Sequence, residues 1–90
     1  MSHIKTSHDA TGQSAAIVTR GSSLRFYADF SSGAGSAQLQ CSISGDWLPV
    51  TESLTSTMDL VETADASSTT PMSFRWNVTV SSGTIVTYLA

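Results

Sequence analysis

Residues able to do chemistry are few and scattered in this 90-residue sequence. Its histidines, His3 and His8, both fall in the polar segment MSHIKTSHDATGQS, 1 to 14. A nucleophile–histidine pair needs its imidazole held rigidly, and a metal needs several ligands fixed at once. A polar, aperiodic segment offers neither, so no catalytic residue and no metal ligand is read there. The carboxylates Asp29, Asp46, Asp59, Glu62 and Asp65 are spread over turns and outward positions. Glycoside hydrolysis requires two carboxyls about 5–9.5 Å apart in one cleft, and nothing in the spacing places two together. The stretch from Asp59 to Asp65 lacks the spacing of a calcium loop and reads as solvated charge. Gly33-Ala34-Gly35 has neither the third glycine nor the following helix of a dinucleotide loop, so it reads as a turn. Asn77-Val78-Thr79 matches a glycosylation acceptor, but no apolar leader precedes it, and a chance match is the plainer reading. No cofactor is expected.

The two tryptophans are the remaining residues with a distinct surface chemistry. Trp76 lies on an alternating apolar face and reads as core. Trp47 follows a Gly-Asp pair in ISGDWLPV, 43 to 50. It reads as a lid folded over the open end of a thin core. An interface anchor and a sugar-stacking platform are the alternatives, since Trp is enriched at binding hot spots.

Composition narrows the classes. Only 12 % of the residues are charged, against about 25 % in ordinary globular domains, and Ser and Thr fill the gap. Net charge is −3, with Lys5, Arg20, Arg25 and Arg75 as the basic residues. There is no basic stripe to track phosphates, which argues against nucleic acid as a partner. No apolar run approaches the ~18 residues of a helical membrane span. The single cysteine, Cys41, forms no internal disulfide, in keeping with assembly in a reducing cytoplasm. A small domain without such staples often gains stability by oligomerising.

The elements that must position these residues follow period two. Residues 1 to 14 read as a flexible arm or an early edge segment. A strand is expected over 14 to 21. In SSLRFYADF, 22 to 30, Leu24, Phe26, Ala28 and Phe30 face one way, and Arg25, Tyr27 and Asp29 the other. SAQLQCSIS, 36 to 44, turns Ala37, Leu39, Cys41 and Ile43 inward. With SSGAG between them, these two runs read as a hairpin. WLPV reads as a short strand, with Pro49 requiring an edge or an end. Met58 and Leu60 suggest a strand near 57 to 63, followed by a loop through ADASSTTP. MSFRWNVTV, 72 to 80, puts Met72, Phe74, Trp76, Val78 and Val80 on one face, and SSGT reads as a turn into IVTYLA. The expected fold is all-β: a small β-sandwich or Greek-key barrel of six to seven antiparallel strands, with a flexible N-terminal arm (1–14) ahead of the sandwich domain (15–90).

The segments SISGDWLPV, 42 to 50, and PMSFRWNVTVSSGTIVTYLA, 71 to 90, resemble a recurrent type of small bacteriophage virion structural protein, over roughly the C-terminal half. The resemblance implies no catalytic residues and a role on the virion, assembled in the bacterial host cytoplasm. Capsid decoration (cement) is the favoured form, with the head–tail region or tail adornment as other positions. It implies the major capsid protein or other virion proteins as partners, and a homo-oligomer, most simply a trimer. Expected contact residues are Ile4, Lys5 and His8 in the arm, Arg25 and Tyr27 on the outward face, and Trp47. The rival function is a carbohydrate-binding or tail-adornment module using Trp47 beside Asp46.

Overall fold

A computed structural model of the chain describes residues 4–19, 22–43, 45–66 and 72–90. They form seven strands: β1 (Ile4–His8), β2 (Gly12–Gln13), β3 (Ile17–Thr19), β4 (Ser22–Ile43), β5 (Asp46–Pro49), β6 (Glu62–Ala66) and β7 (Met72–Leu89). All belong to one antiparallel sheet, so the expected all-β class is what the chain adopts.

Two long strands organise everything else. β4 has 22 residues and β7 has 18. They pair along most of their length, from Phe26 opposite Leu89 to Cys41 opposite Phe74. The expected hairpin between 22–30 and 36–44 is therefore corrected: those runs are two halves of one bent strand, and each half pairs with β7. The second Ser-Ser-Gly is likewise a bend inside β7 and not a hairpin turn. The two motifs meet across the ladder, with Ser32 opposite Thr84, Gly33 opposite Gly83 and Ala34 opposite Ser82. A Cβ on Gly33 would lie 2.5 Å from the Thr84 carbonyl oxygen, so only a residue without one lets the backbones cross this closely. The register shifts between Asp29 and Ser32 and again between Ala34 and Gly35. One extra residue in each strand flanks the glycine pair, and such bulges sharpen a bend.

The bend folds the ribbon so that its two halves face each other. In the first half, β1 runs along β7 and β6 along β4; in the second, β2 and β3 run along β7 and β5 along β4. The inner faces meet at Phe26 and Trp76, whose rings pack edge to face at 5.9 Å. Leu24, Leu39, Phe74, Trp76, Val78, Ile85 and Leu89 are fully enclosed. The Trp76 indole N–H donates to the Tyr88 carbonyl at 3.1 Å, which satisfies the one polar atom of the largest core side chain.

Several local expectations change. The described part of the N-terminal arm, from Ile4 to Gln13, is the edge segment: β1 and β2 run along β7. Its polarity suits an edge strand with one face in water, which is why it looked like an arm. It is held at its far end by Ser14, whose N–H donates to the Trp76 carbonyl and whose Oγ accepts from the Trp76 N–H, both at 2.9 Å. Of the strand expected over 14–21, Ile17–Thr19 form β3, residues 14–16 are not strand, and residues 20 and 21 lie outside the described residues. The strand expected near 57–63 begins instead at Glu62. Met58 still turns inward, buried, through its N–H bond to the Ala28 carbonyl. Pro49 ends β5, an edge strand, as its missing N–H requires.

Candidate functional site

Alternation decides which side chains of the first half face outward. Along β4 these are Arg25, Tyr27 and Asp29, between the buried Leu24, Phe26, Ala28 and Phe30. Tyr27 is paired with Tyr88 of β7, and Tyr88 with Lys5 of β1. The side chains thus form a row across three strands. The tyrosine rings lie 5.9 Å apart, tilted by 56°, and the Lys5 ammonium sits 5.7 Å from the Tyr88 ring centre. A cavity of about 380 Å³ opens beside them, lined by Arg25, Phe26, Tyr27, Val61, Tyr88 and Ala90. Its floor is fixed by the paired backbone of Arg25 and Ala90, which exchange bonds of 2.7 and 2.9 Å. Val61 is 54 % exposed at its margin. The site is an apolar depression beside the two tyrosines, with Arg25 in its lining and Lys5 against the Tyr88 ring, and all of its lining but Val61 and Ala90 lies on strands.

Asp29 closes the same face. The Ser31 backbone N–H at 2.8 Å, aided by the hydroxyls of Ser31 and Thr57, holds its carboxyl below the usual carboxylate range. It stays ionised and is turned towards Ser31 and Thr57.

Of the six residues expected to make contacts, the structure brings Lys5, Arg25 and Tyr27 onto this one face. Ile4 packs partly buried against the core. His8 is corrected: it points inward, 5 % exposed, with Nε2 2.9 Å from the Thr87 hydroxyl. Burial pushes its pKa down, and no outward surface is left there for a partner. For Trp47 it is the lid reading that is corrected. Its β5 position pairs with Ser42, next to buried Cys41, so it lies on the outer face of the second half and not over the core. The Arg75 guanidinium covers its ring at 4.1 Å and is steadied by a 3.0 Å bond from Nε to the Gln40 side-chain oxygen. One face of the indole is thus occupied within the chain. Elsewhere on the second half, the Gln13 amide donates to the Asn77 side-chain oxygen and the Gln38 amide to the Thr51 carbonyl.

Tyr88 and Val61 line this depression, and sequence reasoning did not single them out. A signal for Tyr88 existed in the alternation of IVTYLA, with Ile85 and Leu89 inward. The buried Thr87 between them blurred it, because a polar residue stood on the apolar face. Val61 carried no signal, since it precedes β6 in an irregular stretch. No family model, no curated protein and no solved structure matches this chain.

Proposed function

We propose that this chain is a non-enzymatic adhesive module: a structural protein of a bacteriophage virion, of the capsid decoration type. Its partners are the major capsid protein or other virion proteins, together with copies of itself. The observation that carries the reading is the outward row Lys5–Tyr88–Tyr27 with Arg25 and Val61. Aromatic and arginine side chains on a rigid, weakly charged surface are the composition of protein-binding patches. The resemblance of 42–50 and 71–90 to small virion proteins supplies the setting. Sheet-borne contacts suit repeated packing in a symmetric shell.

Mass spectrometry of particles produced from the encoding genome tests this. Hundreds of copies per particle support shell decoration, and about a dozen would move the chain to the connector or tail. Tyr27→Ala is expected to lower occupancy at least tenfold. Particles lacking the chain, or specific glycan binding abolished by Trp47→Ala, would replace this reading with the carbohydrate-binding one.

A further inference from the structure

The sheet has open edges, and its hydrogen bonds show which way each one points. In an antiparallel ladder the backbone N–H and C=O of one residue turn to the same side, and those of the next residue to the other. Arg25 exchanges both of its backbone bonds with Ala90, so on β4 Leu24 and Phe26 turn theirs towards β6. Their partners there are Ala64 and Glu62. Thr63, between these two, therefore turns its N–H and C=O away from β4. Among the described strands β6 pairs with β4 alone, so the outer side of β6 has no ladder. The other edges are blunted. The Val50 N–H donates to the Leu39 carbonyl at 2.8 Å, which turns the Pro49 backbone outward on β5, where proline offers no donor. On β1 the same alternation, carried from Ala90 through Leu89 and its partner Ile4, leaves Lys5 and Ser7 outward, and an edge lysine discourages a further strand. β2 and β3 have only two and three residues. β6 has five, with neither proline nor lysine, and Leu60 and Val61, which lead into it, are 64 % and 54 % exposed.

We propose that β6 pairs antiparallel with β6 of a second copy, about a two-fold axis through Thr63. The sequence of the edge selects this occupant. In that register Thr63 lies opposite its own copy, Glu62 opposite Ala64 and Val61 opposite Asp65, so no like charges meet. A register centred on Glu62 would set two carboxylates directly opposite, which is destabilising, whereas a Thr–Thr pair across the ladder is favourable. Leu60 falls opposite Ala66, so both exposed aliphatic residues enter the contact. A strand added to an open edge gains the main-chain hydrogen bonds that the edge lacks. The same surface serves both copies, as in closed two-fold dimers. One sheet then runs from β1 through β7, β4 and β6 into β6 of the second copy and on to its β1. The axis stands perpendicular to the sheet, so the tyrosine rows of the two copies lie on one side of it. The inference goes beyond the adhesive reading and stands without it, and a dimer differs in mass from the trimer that the resemblance implies.

Sedimentation equilibrium of the full chain over a concentration series tests the pairing, because a contact this small forms reversible pairs. Wild type is expected to reach the mass of a dimer. Thr63→Pro removes an N–H that points away from β4, so the variant is expected to keep the wild-type circular dichroism and to sediment as a monomer. Thr63→Cys reads the register and decides the matter if the proline variant does not fold. Directly opposed residues of this kind have Cα atoms about 5.5 Å apart, within the roughly 4.4–6.8 Å that a disulfide spans. On oxidation Thr63→Cys is expected to run as a disulfide-linked dimer, and Ser7→Cys, on the β1 edge, as a monomer; Cys41 is buried and does not compete. A wild type that is monomeric at its highest soluble concentration overturns the pairing. So does an unchanged oligomer mass in a folded Thr63→Pro protein, or a Thr63→Cys protein that cross-links no more than Ser7→Cys. Particle occupancy judges the adhesive reading separately. A dimer that responds to these variants but is absent from particles keeps the pairing and removes the virion setting, and a monomer that occupies particles does the reverse.

Discussion

The corner where β4 and β7 cross makes the sharpest prediction about the fold. Gly83 has φ of 66° and sits opposite Gly33. A Cβ there would collide with the Ser32 carbonyl oxygen and lie 2.9 Å from the Gly33 Cα. Gly83→Ala therefore carries two penalties. The left-handed backbone costs about 1–2 kcal/mol for a residue with a Cβ. Forcing two paired backbones apart adds about 1–3 kcal/mol, as in overpacked cores. The sum, about 2–5 kcal/mol, is comparable with the whole stability of a small domain at the low end of the usual ~5–15 kcal/mol. Gly45 separates the two terms: its φ is 86°, yet nothing lies within 4 Å of an added Cβ, so Gly45→Ala should cost only the first. Gly12 also has open space and no such φ, and Gly12→Ala should be neutral or slightly stabilising. Urea unfolding followed by tryptophan fluorescence reads the series. With a slope of about 2 kcal/mol per molar urea, the midpoint should fall by roughly 0.5–1 M for Gly45→Ala and by roughly 1–2.5 M for Gly83→Ala. Equal shifts for the two would mean that the strands do not cross at the corner, and the account of two bent strands would fail.

Other perturbations address the core, the buried histidine and the outer face. Trp76→Ala removes a fully buried ring together with its edge contact to Phe26; a loss of about 3–5 kcal/mol should leave little folded protein, visible as collapse of near-ultraviolet dichroism. His8 is held neutral by burial, so its folded pKa lies below the ordinary 6.5. Above that value the group adds no pH dependence. As pH falls below it the unfolded chain takes up the proton first, and stability drops by up to about 1.4 kcal/mol per pH unit until the folded pKa is reached. The slope below pH 6.5 should disappear in His8→Gln, with hydrogen exchange of the β1 amides showing the earliest opening; an identical slope in the variant would exclude His8 as its source. Arg75→Ala uncovers the Trp47 ring and should shift its emission to the red while costing only about 0.5–1 kcal/mol.

Much of the interior was legible in the sequence. The alternations Leu24-Phe26-Ala28-Phe30, Ala37-Leu39-Cys41 and Phe74-Trp76-Val78 are the buried faces of the folded chain, because side-chain direction in a strand is a local property with a period of two. The outward placement of Arg25, Tyr27 and Asn77 follows from the same rule, and the edge position of Pro49 follows from its missing donor. The partners of each strand were not legible. Ser-Ser-Gly has the same local chemistry whether the chain reverses into a hairpin or bends within one strand. What separates these outcomes is the pairing of Gly33 with Gly83, fifty residues apart in the chain, and alternation carries no information about partners at that distance. The same holds for the surface. Period two turned Tyr27 outward, but only the antiparallel register of β1, β7 and β4 laid Lys5, Tyr88 and Tyr27 in one row. Trp47 shows the other side of this. Its turn-proximal position suggested a lid, whereas its pairing with Ser42 put it on the outer face beneath Arg75. Local sequence determined which way side chains point, through the geometry of a single extended chain. Tertiary structure decided which of them meet, because that depends on long-range backbone pairing and on two glycines that let the strands cross.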